Sequence, residues 1–169
     1  MMNQALRLGQ LIAMVIWVGG LIFFAFVLAP TAFSVLPTVS LAGSIVGAAL
    51  RELHVLGLIC GALFLAVTGV MFSQAPMKVR GRYEMEFLLA GVMVLATAYL
   101  QWNVLPAMEV DRGRANGDIS SVSVDHPARV HFDRLHKRSE RVEGFVLLCG
   151  LGVVFLMSRE LGGTENKAA

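Results

Sequence analysis

A chain of 169 residues with 56% hydrophobic types and only 15% charged lies well below the roughly 25% charged content of an ordinary soluble domain. Its mean hydropathy of +0.69 and formal net charge of +2, with basic residues scattered between apolar tracts, exclude a nucleic-acid-binding footprint, which concentrates Lys and Arg on one face. What remains is an integral membrane protein of one domain, residues 1–169, in contact with the lipid bilayer.

The N-terminus, "MMNQALRLGQLIAMVIWVGG", has one positive charge and then an apolar run continuing through Phe33. A signal peptide has a shorter core and a small-residue cleavage site, so this reads as a retained first crossing. Its purely apolar part covers residues 11–29, and Pro30 marks its end. The second apolar tract covers residues 53–72 and the third 87–102, where Tyr99 and Trp102 suit an aromatic interface belt. The fourth, residues 144–157, is short for a span, so its helix is expected to begin within "FDRLHKRSERVEG". Unpaired backbone groups cost several kcal/mol in hydrocarbon. The expected fold is therefore all-α: a four-helix transmembrane bundle, with helices at about 8–33, 40–73, 84–103 and 131–159 and a long polar loop between the third and fourth.

The loops give the orientation. "TAFSVLPTVS" contains no Lys or Arg, whereas "SQAPMKVRGRYE" carries Lys78, Arg80 and Arg82; Arg7 precedes the first helix, and Arg159 and Lys167 follow the last. The positive-inside rule then predicts both termini cytoplasmic, as in a bacterial inner membrane. The third connection counts against this, with seven basic residues from Arg112 to Arg141, interleaved with acids.

An even number of crossings puts the first and third connections on one side. One membrane face therefore collects Arg51, Glu52 and His54 from the second helix, Asn103 from the third, and His136, Ser139 and Glu143 from the fourth. Gly43, Gly47, Leu50, His54, Gly57 and Gly61 recur at intervals of four and three, one helical stripe. Its pairs "GSIVG" and "GLICG" have the small-xxx-small form that lets helix backbones approach. A second stripe, Phe132, Leu135, His136, Ser139 and Glu143, leads into the fourth crossing. Both stripes can aim a histidine inward at about the same depth, which makes His54 and His136 a candidate ligand pair for haem or a soft metal ion.

Plainer readings stand beside these. Residues 40–72 as one helix span about 50 Å against a hydrocarbon core of about 30 Å, so Arg51 and Glu52 can sit among headgroups, with His54 one turn deeper. Glu143 can serve as a favourable charge at a helix N-terminus. The nine methionines form no tight Met-x-x-Met cluster, and Cys60 and Cys149 lie inside apolar tracts, where both types act as core fillers. His126, His131 and His136 are spaced by fives, which does not place two ligands on one helical face. No nucleophile triad, phosphate-binding loop or zinc motif occurs, so nothing points to an enzyme.

"WVGGLIFFAFVLAPTAFSVL", "AGSIVGAAL", "QWNVLPAM" and "HFDRLHKRSERVEG" together resemble the transmembrane-protein-205-like domain family, a four-helix membrane domain of unknown function. The likeness covers residues 8–157. It rests on Trp17, Gly19 and Gly20, on Pro30 and Phe33, on Asn103 with Pro106, and on the run from Phe132 through Leu135 and His136 to Ser139. Glu143 stands where the family pattern has asparagine. The resemblance implies a link to tolerance of platinum drugs, and hence export of metal complexes.

Three functions follow: a transport or tolerance component for a cation or metal complex, a haem- or metal-binding protein using His54 and His136, and an accessory subunit of a homo-oligomer or larger membrane complex. The helix middles are nearly all apolar apart from Thr68 and Thr97, which counts against an autonomous transporter. A cofactor-free protein ranks first.

Overall fold

Every apolar tract becomes the centre of a helix much longer than itself. The computed structural model describes residues 2–165, with side chains for residues 4–159; Lys167 lies outside them. Four helical spans cover Gln4–Val35, Val39–Gln74, Met77–Arg114 and Pro127–Arg159, and no strand occurs among the described residues. The chain is an all-helical membrane protein built as a four-helix bundle. Spans of 32 to 38 residues reach about 50–57 Å at 1.5 Å per residue. They overshoot a hydrocarbon core of about 30 Å, and the surplus stands mainly at one end.

The first span is α1 (Met2–Phe23), one π-helical turn (Phe24–Leu28) and α2 (Ala29–Val35). Pro30 does not end it. Proline has no N–H to give to the fourth residue back and its ring crowds that carbonyl; here the chain widens instead, and the Ala29 N–H reaches the Phe24 carbonyl, five residues back. The third span repeats the device: α4 (Met77–Tyr99), a π turn (Leu100–Val104) and α5 (Leu105–Arg114), with the Leu105 N–H on the Leu100 carbonyl immediately before Pro106. Between these lies α3 (Val39–Gln74), capped by Thr38, whose hydroxyl accepts from the Leu41 N–H at 3.1 Å. The last span is α6 (Pro127–Glu165).

The connection before α6 is only residues 115–126, shorter than the connection expected at residues 104–130. Met108 of α5 and Phe132 of α6 are buried in one cluster, so these two helices continue the bundle beyond the apolar tracts. Asn116 and Gly117 take φ of 54° and 88°, left-handed values that end α5 where glycine and asparagine tolerate them.

The helices pack in the cyclic order α1, α3, α4, α6, and the seam between α1 and α6 is the loosest of the four. The core is dry: Trp17, Phe64, Met93, Val146 and Val153 are almost fully buried, with Cys60 and Cys149 as free thiols among them. Outward faces carry Val15, Phe26, Leu95, Leu148 and Phe155, an apolar exposure too continuous for water and suited to lipid.

Candidate functional site

His54 is 1% exposed, on α3 where the apolar bundle begins. Both its ring nitrogens are engaged. Nδ1 lies 3.3 Å from Gln101 Oε1 on the π turn of the third span, and Nε2 meets Glu143 Oε1 on α6. Three of the four spans thus converge on one imidazole. When Gln101 Oε1 accepts, Nδ1 carries the hydrogen, so Nε2 of a neutral ring is an acceptor. In the other tautomer Nε2 carries the hydrogen and donates it to the Glu143 carboxylate.

Glu143 is 17% exposed, yet its Oε2 is buried with no hydrogen-bond partner. It lines a half-open cavity of about 380 Å³ in the loose seam between the first and last helices. Leu21, Phe24, Phe26 and Leu50 supply apolar walls, with Ser139 and Glu140 beside Glu143. Both π turns border this region: one contributes Phe24 and Phe26 to the wall and the other holds Gln101. Single π turns inside α-helices recur at functional sites, and here they re-aim side chains that regular helix geometry would send elsewhere.

The other sequence-predicted residues distribute as follows. Ser139 is buried in the cavity wall. Asn103 is exposed; Gln101, two residues earlier, occupies the place expected of it. The signal that could have found Gln101 is the proline six residues beyond the start of the turn. Arg51 and Glu52 are exposed on the rim of a larger recess of about 700 Å³ above the bundle, with Glu109 and Arg112. That recess balances two cations against two anions and lies outside the apolar core.

His136 does not face His54. It is 52% exposed, pairs with Glu140 at 3.3 Å and stacks on Phe132. Glu143 and His136 do share a stripe, but seven residues put His136 about 10 Å farther out along the helix. It is Glu143 that reaches the depth of His54. The expected haem or metal pair is therefore separated, and among the described residues no group of three or more His, Cys, Asp or Glu stands close enough to hold a metal ion. His126 accepts from the Ala128 N–H, and His131 lies 2.6 Å from Asp111.

The glycine stripe serves two neighbours. A Cβ on Gly57 would stand 2.8 Å from Trp17 Cδ1, and one on Gly61 2.7 Å from Trp17 Cζ3, so these two glycines admit the indole of α1. Gly43 and Gly47 lie above the bundle, against Arg112. Its guanidinium donates to the Gly43 carbonyl at 3.0 Å and to Glu109 at 2.8 Å, and covers the Phe132 ring.

Further buried polar groups lie at both ends. At the end bearing the termini, Gln10 Nε2 donates to Thr68 Oγ1 at 2.8 Å, and Thr68 donates in turn to the Phe64 carbonyl. Arg82 sits 3.2 Å from the buried Glu86. At the opposite end, Asp111 on α5 is fully buried against His131 of α6, with Arg114 at 3.4 Å. Trp17, Phe64, Met93 and Val146 close the space between the ends, so among the described residues the polar groups form no continuous path through the bundle.

The model of a family described as "Domain of unknown function (DUF4149)" matches residues 12–110. The match includes both π turns, His54 and Gln101 and stops before Glu143. No curated protein and no solved structure matches the chain.

Proposed function

We propose a function on the premise that this chain belongs to the DUF4149 family, a domain of unknown function, so that its own geometry has to carry the reading. The protein takes up a small amphipathic organic cation at one membrane face and serves as a transport or tolerance component of the membrane. The observation that carries this is Glu143, which lines a half-open cavity with phenylalanine walls and whose Oε2, buried behind that lining, has no hydrogen-bond partner. A buried acceptor without a donor is costly, and a cation beside it removes that cost. Aromatic faces add attraction for the same charge, and about 380 Å³ falls within the range of small-molecule sites.

The cavity is lined mainly by the first span and α6, and the apolar plug argues for exchange with the bilayer rather than conduction along the bundle axis. Movement across the membrane would then need a second copy or a partner subunit. Arg7, Lys78, Arg80, Arg82 and Arg159 at the opposite end favour cytoplasmic termini in a bacterial inner membrane. A tolerance role agrees with the resemblance to the transmembrane-protein-205-like domain family.

The test is isothermal titration of detergent-purified protein with benzyltrimethylammonium and with its neutral isostere neopentylbenzene. Saturable binding of the cation, lost in Glu143→Gln and weaker for the isostere, supports the reading. Equal binding to wild type and Glu143→Gln, or none to either, refutes it.

A further inference from the structure

We infer that the opposite end of the bundle carries a second site, independent of the Glu143 cavity. A groove between α3 and α4 seats one aminophospholipid from the leaflet beside the termini, with its phosphate at Arg80, its ammonium at Glu84 and an acyl chain against aromatic rings. The groove holds about 370 Å³, between Gly69 and Phe72 of α3 and Tyr83, Phe87 and Leu88 of α4, with Glu84 the charged member of that lining. A Cβ on Gly69 would meet nothing within 4 Å. Unlike Gly57 and Gly61, this glycine therefore leaves a slot open instead of admitting a neighbouring helix. Phe87 and Leu88 are exposed on the outer face, where an alkyl chain gains close packing contacts along the recess.

Two charges select the headgroup. Arg80 stands one turn before Glu84 on α4, about 6 Å along the axis, yet it turns to α3. Its Nε donates to the Ala75 carbonyl at 3.1 Å, and its guanidinium lies 5.3 Å from the centre of the Phe72 ring. The guanidinium is thereby held against a wall of the groove, and its Nη groups have no partner among the described residues. Such a fork suits the oxygens of a phosphate. Glu84 is exposed and has no ion pair among the described residues, so it can accept from an ammonium, which carries three donors. The neighbouring charges do not compete: Arg82 lies over the Tyr83 ring and pairs with the buried Glu86, and Lys78 is exposed. A headgroup bearing only a phosphate would meet Arg80 but be repelled by Glu84. A zwitterionic one satisfies both and leaves the site neutral.

The experiment is native mass spectrometry of the detergent-purified full chain, titrated with dioleoyl phosphatidylethanolamine, with dioleoyl phosphatidylglycerol and with water-soluble glycerophosphoethanolamine. The expected result is saturable binding of one phosphatidylethanolamine per chain, about fivefold tighter than phosphatidylglycerol, the order of one charge at a membrane surface. Glu84→Gln should erase that preference, and because the position is exposed the fold does not depend on it. Arg80→Gln should weaken both lipids. Gly69→Leu, whose Cβ meets no protein atom, should abolish saturable binding with the circular dichroism unchanged. Equal binding of the two lipids, tighter binding of phosphatidylglycerol, or a preference that survives in Glu84→Gln overturns the inference. Glycerophosphoethanolamine binding as tightly as the lipid overturns the role of the groove. Uptake that never saturates, or that a folded Gly69→Leu variant retains, reduces the groove to ordinary boundary-lipid contact and overturns the site.

Discussion

Gly57→Ala tests whether the approach of α1 to α3 depends on the missing side chain. The new methyl would sit 2.8 Å from Trp17 Cδ1 and 2.9 Å from Cε2, against about 3.5–4.0 Å for relaxed carbon contacts. The indole has nowhere to withdraw: it is 1% exposed, and its far edge already rests on Gly61. Overpacking of this kind costs about 1–3 kcal/mol. Gly69→Ala on the same helix is the control, since nothing lies within 4 Å of that Cβ. It carries the same gain in helix propensity, about 0.5–1 kcal/mol, so the difference between the two variants isolates the clash. Reversible unfolding in mixed micelles, followed by circular dichroism, should place Gly57→Ala about 1–3 kcal/mol below Gly69→Ala. Trp17→Phe should recover part of that gap in the double variant. Equal stabilities for the two alanine variants would refute the packing argument.

Asp111→Asn weakens the tie between α5 and α6; with His131 half exposed the cost is at the low end of about 1–3 kcal/mol, read as faster hydrogen exchange in residues 105–114. Gln10→Leu leaves Thr68 its bond to the Phe64 carbonyl, so the loss should be near 0.6 kcal/mol, the average for such pairs between membrane helices, measured in the same micelle titration. The Ser120 hydroxyl and N–H hold the Asp118 carboxyl below its ordinary value. The stabilisation of that turn is therefore complete above the ordinary carboxylate range and lost as pH falls through the depressed value. Limited proteolysis between α5 and α6 should accelerate only in acid.

Four apolar tracts and the positions of their flanking charges follow from the sequence alone, because transfer of side chains into hydrocarbon depends on composition more than on neighbours. An even number of crossings then obliges His54 and Glu143 to share a membrane face, with no knowledge of packing. What periodicity could not settle is which side chains meet there. A π turn inserts one residue and rotates everything beyond it by about 100°. Asn103 enters the expected site because it closes the third tract, where the fold presents Gln101, and Pro30 marks the expected end of a first crossing that the fold carries past it. Depth is likewise tertiary. His136 and Glu143 are indistinguishable on a helical wheel, yet only the height at which α6 stands beside α3 brings the carboxylate, and not the second imidazole, to His54. The single glycine stripe divides for the same reason: α3 outgrows the bundle, so its lower glycines meet the indole of α1 and its upper ones the guanidinium of Arg112.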